Sequence, residues 1–244
     1  MNNFKLKSYH FDFNLKSFDK KILKASTLLK YKGESKKNEL ESKYKVKNIN
    51  LEKDSIKYCS NLFSYLGIKK NIKILDIFTI EINEYIKAIK DYKLNEIELH
   101  IRNSFEDAIP PHQDQYYHYC YPRDKVKIIF SLTELSKENG FLEYLDHSDH
   151  ILPLLDHQAS SVKAFSSFIK DNNLFFMKNS WQEVSLKKNQ IICHFMDSIH
   201  RASSNKTKYK SAFLVFRFDK NNKEIPSIKN KYKKTFSEYL SNIN

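Results

Sequence analysis

The segment Asn95–Phe105, NEIELHIRNSF, sets Ile97, Leu99 and Ile101 against Glu98, His100 and Arg102. Strict alternation of this kind is the period of a β-strand, whose successive side chains point to opposite faces. Five further short segments read the same way: KVKIIFSLTEL, GFLEYL, EVSL, NQIICHF and KSAFLVFRF. They are joined by irregular connections with few helical stretches between them. Short strands in this arrangement predict a mainly β fold, an antiparallel barrel or sandwich. Only 3 of the 244 residues are glycine, so the turns must be built from Asn, Asp, Ser and Lys.

The first part of the chain, about 15–95, reads as mainly helical. DKKILKASTLLKYK gathers Ile22, Leu23, Leu28 and Leu29 on one face. DSIKYCSNLFSYLG has Asp54 and Ser55 as caps and Gly67 as a stop, and predicts another helix. TIEINEYIKAIKDY spaces Ile80, Ile82, Tyr85, Ile86 and Ile89 at roughly helical intervals. These stripes are read as core. The expected organisation is one domain: helices at about 15–95 packed outside a β core at about 96–220, then a helical tail at 221–244.

The formal charge of +13 admits two readings, an anionic partner or the Lys- and Asn-rich drift of an AT-rich coding sequence. No zinc finger, ribonucleoprotein motif or basic heptad supports nucleic-acid binding. No apolar run is long enough to span a bilayer, and no apolar stretch makes MNNFKLKSYH a signal peptide. Cys59, Cys120 and Cys193 form neither a disulfide framework nor a zinc pattern. A cytoplasmic, reducing setting is expected, without nucleic-acid or membrane partners.

Three His-x-Asp triplets occur: His10-Phe-Asp12, His112-Gln-Asp114 and His147-Ser-Asp149. On a strand or its end, residues i and i+2 aim one imidazole and one carboxylate into the same space. A 2-His-1-carboxylate iron site needs one more His and leaves positions open for a co-substrate and dioxygen. His200 suits that role best. It follows an apolar strand and precedes a polar hairpin and a second strand carrying Lys210 and Arg217. A 2-oxo acid chelated to iron needs such a cation for its distal carboxylate.

Three motifs bring a family into view. IPPHQDQYYHYC, KENGFLEYL and IHRASSNKT resemble, in order and spacing, the first metal motif, the Glu-Asn-Gly-x-Leu-x-Tyr turn and the second histidine motif of the phytanoyl-CoA dioxygenase family. The resemblance covers about 97–218. It implies a double-stranded β-helix, or jelly-roll, and a dioxygenase using Fe(II), 2-oxoglutarate and dioxygen. The expected reaction hydroxylates a small-molecule substrate and releases succinate and carbon dioxide; the surplus of lysine favours an anionic one. Carried over by position, His112, Asp114 and His200 would be the metal ligands and catalytic centre. Related halogenases replace the carboxylate with a small residue, so Asp114 argues for hydroxylation or another oxidation.

The family's arginine, about ten residues after the second His, is absent. Lys210 stands near that place, with Arg217 further along. Ser203, Gln113 and Arg102 are further candidates for holding the co-substrate. Tyr116, Tyr117 and Trp181 are candidate substrate contacts or barrel wall. His118, His157 and His194 are read as packing or substrate-side residues. A jelly-roll metal binder without turnover and a nonredox metal enzyme stand as alternatives.

Overall fold

The structure is a computed structural model that describes residues 9–11, 21–22, 24–78, 84–118, 123–145, 155, 157–159, 167–169 and 180–220. Its strands in chain order begin with β1 (Tyr9–Phe11), β2 (Lys47–Glu52), β3 (Ser55–Ser60), β4 (Lys93–Arg102), β5 (Ile109–Gln113), β6 (Lys125–Ser131) and β7 (Leu142–Leu145). They continue with β8 (His157–Ala159), β9 (Ser167–Ile169), β10 (Trp181–Val184), β11 (Ile191–Phe195), β12 (Ile199–Ala202) and β13 (Ser211–Asp219).

These strands build a seven-stranded sheet, β1-β11-β6-β13-β4-β3-β2, and a four-stranded sheet, β10-β7-β12-β5, with β8 and β9 as a separate ribbon. Every pairing is antiparallel. From β4 to β7 and from β10 to β13 the chain alternates between the two sheets. That is the winding of an eight-stranded jelly-roll. β1, β2 and β3 widen the larger sheet.

Both faces of the larger sheet are covered. Ile97, Leu99 and Ile101 of β4, Ile128 and Phe130 of β6, and Leu214 and Phe216 of β13 belong to one large apolar cluster. The same cluster holds Ile22, Leu28, Leu40, Leu62, Ile74 and Ile86 from the chain before β4. The opposite face looks at the smaller sheet. There Ile129, Ile192, Phe213 and Val215 pack against Leu142, Tyr144 and Ala202. The polar half of the β4 alternation, Glu98, His100 and Arg102, shares this inward face.

The first part of the chain departs from its expected helicity. A 3-10 helix spans Lys24–Lys30, followed by α1 (Gly33–Tyr44), the short α2 (Phe63–Leu66) and α3 (Ile74–Ile77), and α4 (Glu84–Ile89). Residues Ser55–Ser60, read as helical, form β3 instead. Lys53 and Asp54 both have positive φ, 47° and 62°, and turn β2 into β3 as a tight hairpin. Tyr58 and Cys59 then pair with His100 and Leu99 of β4. Gly67 does end a helix, in the left-handed conformation, but a helix of only four residues. With glycine scarce, Lys45, Asn48, Asn61, Asn71 and Asn189 also take positive φ. Leu23, Ile80, Ile82 and the tail 221–244 lie outside the described residues.

Candidate metal centre

β5 and β12 are neighbours in the smaller sheet, and their register sets His112 directly opposite His200. The two ring centroids are 4.1 Å apart. β5 ends at Gln113, and the short α5 (Asp114–His118) begins there. The turn brings the Asp114 carboxylate back beside the imidazoles. His112 Nε2 is 3.9 Å from Asp114 Oδ1, and His200 Nε2 is 3.7 Å from Asp114 Oδ2. One ligand atom from each of the three lies within 4.8 Å of the others, and all three residues are buried.

The backbone fixes the tautomer of both rings. His112 Nδ1 donates to Pro110 O at 3.0 Å and His200 Nδ1 to Ser198 O at 3.1 Å. A carbonyl oxygen only accepts, so each Nδ1 carries the proton and each Nε2 presents a lone pair to the space beside Asp114. Burial holds both imidazoles neutral: His112 is far below its ordinary range, and His200 is pushed down to about 3. For Asp114, burial pushes the pKa up, but Lys127 and His200 more than offset it and hold the carboxyl well below its usual range. Two neutral imidazoles and an ionised carboxylate brought together in the interior are the donor set of a facial-triad Fe(II) site. The residues therefore fit a divalent metal.

Two further residues touch Asp114. Lys127 of β6 places Nζ 2.8 Å from Oδ2. His194 of β11, its cross-strand neighbour, places Nε2 at 3.5 Å from the same oxygen. The Tyr144 hydroxyl lies 2.9 Å from His194 Nδ1. A carboxylate can only accept, so Nε2 bears the proton and the phenol donates to Nδ1. Burial, with Asp114 second, raises the Tyr144 pKa well above its ordinary value, which keeps that proton in place. Sequence reasoning overlooked Lys127. Its signal was a charge inside the apolar strand KVKIIFS.

The other sequence candidates fall in different places. Lys210 is exposed just before β13, unlike the buried triad. Arg217 is on the inward face, but Glu96 and Glu98 both grip its Nη1 at 2.8 Å. Arg102 is buried: its Nε lies 3.1 Å from Glu106 Oε1 and its Nη2 donates to the carbonyls of Asp107 and Ser203, while its Nη1 has no hydrogen-bond partner among the described residues. Gln113 is buried with its amide spent on two loops, donating to Asp197 O and accepting from Leu155 N. One residue away from His112 on a strand, it points to the other face. The Ser203 hydroxyl reaches Lys137 O at 3.4 Å.

Among the aromatics, Tyr117 lies beside His112, with centroids 6.3 Å apart. Tyr116 stacks on His157 at 4.2 Å. Trp181 covers the Arg201 guanidinium at 4.1 Å, and Arg201 pairs with Glu143. Arg201 alternates with His200, so this group, Trp181 included, is on the outer face of the smaller sheet, away from the His112–His200 pair. Asn139 and Asn205 of the two downstream motifs serve as turn staples. Asn139 accepts from Ser136 N, and Asn205 donates to Asn103 O and Tyr209 O. His10 is in β1, while Asp12 and the His147-Ser-Asp149 triplet lie outside the described residues.

No protein-family model matches the chain, and no curated protein does either. Solved structures match in fold. The non-heme alpha ketoglutarate-dependent carbocyclase SnoK from nogalamycin biosynthesis aligns over 93% of this chain and 85% of its own, with a TM-score of 0.53 and 11% identity. The epimerase SnoN, solved with Fe3+, alpha ketoglutarate and nogalamycin RO, aligns over 86% and 77%, with a TM-score of 0.51 and 12% identity. AviO1 from Streptomyces viridochromogenes Tue57 aligns over 89% and 93%, with a TM-score of 0.50 and 12% identity. Against EvdO2 from Micromonospora carbonacea var. aurantiaca the chain spans about half the length, 49% of that chain, at a TM-score of 0.39 and 20% identity.

Proposed function

We propose that the chain is an Fe(II)- and 2-oxoglutarate-dependent dioxygenase that hydroxylates a small molecule, with His112, Asp114 and His200 as its metal ligands. The observation that carries this reading is the triad itself. Two Nε2 lone pairs, fixed by backbone carbonyls, and one ionised carboxylate converge in the jelly-roll interior. The three motifs resembling the phytanoyl-CoA dioxygenase family support it. So do the iron and alpha ketoglutarate named for the fold neighbour SnoN.

The chain's own residues perform the positioning. His112 and His200 are delivered by adjacent strands, so a rigid ladder sets their separation. Lys127 and His194 hold Asp114 from one side and leave its carboxylate ionised. The apolar layer of Ile129, Val215, Phe213 and Leu142 excludes water from the interior. Iron and 2-oxoglutarate, when bound, supply the oxidising power with dioxygen, and succinate and carbon dioxide leave. Tyr117, whose ring lies 6.3 Å from that of His112, would contact the substrate. The names of SnoK and SnoN show that this fold also hosts ring closure and epimerisation. Asp114, which keeps the full triad, favours hydroxylation or another oxidation over halogenation.

Anaerobic addition of Fe(II) and 2-oxoglutarate should produce a weak visible charge-transfer band, and aerobic incubation should release succinate. His112→Ala and His200→Ala should abolish both. A wild-type protein that binds Fe(II) yet shows neither signal across a broad substrate panel would refute the assignment.

A further inference from the structure

Single hydrophobic side chains on a surface are ordinary, but Phe105 departs from the ordinary in two ways. Its ring is 72% exposed, and Tyr209, at 67%, is the other exposed large hydrophobe among the described residues. Its backbone is also left-handed, with φ 55°. Of the nine described non-glycine residues with positive φ, eight are Asn, Asp, Lys or Arg, and Phe105 is the one apolar residue. A bulky side chain is disfavoured in that region, and Gly or Asn would suit the turn better. Neither burial nor local backbone preference accounts for a phenylalanine here. Such strain at an exposed residue points to a role outside the fold.

The turn that carries Phe105, after β4, is tied to the hairpin before β13. Phe105 N donates to Thr207 O at 3.3 Å, and Ser104 Oγ to Lys208 O at 2.8 Å. The Asn205 amide donates to Asn103 O and to Tyr209 O. Both aromatic residues are thus held on one braced projection, which loses little freedom on docking. Lys206, Lys208 and Lys210 are exposed on the same hairpin, and Lys208 Nζ lies 5.3 Å from the Tyr209 ring. On the adjoining segments Asp107 and Glu138 are exposed, while Glu106 is spent on Lys57 and Arg102.

We propose that this projection docks the protein on an anionic lipid surface, with Phe105 and Tyr209 entering the headgroup layer and Lys206, Lys208 and Lys210 meeting acidic headgroups. Aromatic rings settle at that interface, and each lysine near an anionic bilayer adds attraction. The formal charge of +13 favours the approach. Composition separates this occupant from others. Protein interfaces concentrate Arg with their aromatics and are depleted of Lys, whereas residues 203–210 hold three Lys and no Arg. A second copy docked face to face would set lysine against lysine. The sequence argued against a membrane partner from the lack of a spanning run, and a surface contact needs none. The inference is independent of the metal centre.

Vesicle co-sedimentation of the full chain tests it. The protein should bind vesicles of equal parts phosphatidylserine and phosphatidylcholine, bind phosphatidylcholine alone far more weakly, and dissociate as salt is raised. Phe105→Gly should lower the partition coefficient about tenfold, with Tyr209→Ser acting in the same direction. Lys206→Gln, Lys208→Gln and Lys210→Gln should each lower it about fivefold. Lys188, exposed between β10 and β11, is the control, and Lys188→Gln should bind like the wild type. The unfolding midpoint of Phe105→Gly should stay level or rise, because glycine accepts a left-handed backbone. A lower midpoint would make Phe105 a residue of the fold and overturn the inference. So would a wild type that ignores the acidic vesicles, or a Lys188→Gln loss as large as that of Lys208→Gln, which would be net charge alone. Binding to a single-stranded oligonucleotide but not to vesicles, lost in Phe105→Gly, would assign the rings to base stacking instead.

Discussion

At the scale of single residues, the interior holds a second charged cluster besides the candidate metal centre. Glu98 accepts from the Tyr58 hydroxyl at 2.6 Å and lies 3.0 Å from His100 Nε2 and 2.8 Å from Arg217 Nη1. His100 in turn stacks on Phe213 at 5.3 Å. Burial pushes the Glu98 pKa up, but His100, Arg217 and Tyr58 override it and bring the carboxyl down to about 2 from 4.5. A carboxylate with a depressed folded-state pKa stabilises the fold above its unfolded pKa. That contribution fades as pH falls toward the folded value. A drop of this size corresponds to roughly 3 kcal/mol, as an order of magnitude. Acid unfolding followed by circular dichroism should therefore steepen between about pH 4.5 and 2. Glu98→Gln should flatten that limb and lower stability at neutral pH; an unchanged limb would show that the cluster contributes nothing net.

At the scale of elements, alternation along strands decides which residues can serve the site. His112 and His200 face Asp114 in the interior, so their neighbours Gln113 and Arg201 do not. Trp181, on the outer face with Arg201, should tolerate Phe: the 2-oxoglutarate Kd of Trp181→Phe should match the wild type, and a large rise would move it back into the pocket. Asn205 ties the hairpin before β13 through its contacts to Asn103, Thr207 and Tyr209. Asn205→Ala should cost roughly 1–3 kcal/mol by removing those part-buried hydrogen bonds, measured as a lower unfolding midpoint. β4 was legible because its apolar and polar residues alternate without exception across Ile97–Arg102. β3 was not, because Ile56, Cys59, Leu62 and Leu66 are all buried at spacings of three and four, which mimic a helical stripe. Pairing with β4 outweighed local periodicity there.

At the scale of the whole molecule, the large apolar cluster joins the elements before β4 to the outer face of the jelly-roll sheet. Leu40 of α1, Ile74 of α3 and Phe216 of β13 are each fully buried in it. Cutting Phe216 to Ala should cost roughly 3–5 kcal/mol. The lower stability should appear at one midpoint in far-UV circular dichroism and in Trp181 fluorescence, although Trp181 is on the other sheet. Two separated midpoints would mean that the N-terminal elements unfold independently.

The sequence by itself determined the strand-rich class, the order of the motifs and the candidate metal-binding residue types at 112, 114 and 200, because periodicity and spacing are local properties of a chain. Only the tertiary structure decided which polar residues meet. Lys127 reaches Asp114, 13 residues before it in sequence, because β6 lies beside β11 in one sheet while β5, which leads into Asp114, lies in the other. Lys210, close to His200 in sequence, ends in solvent for the converse reason. A cation's role depends on the face and layer it occupies, and neither is encoded in its distance along the chain.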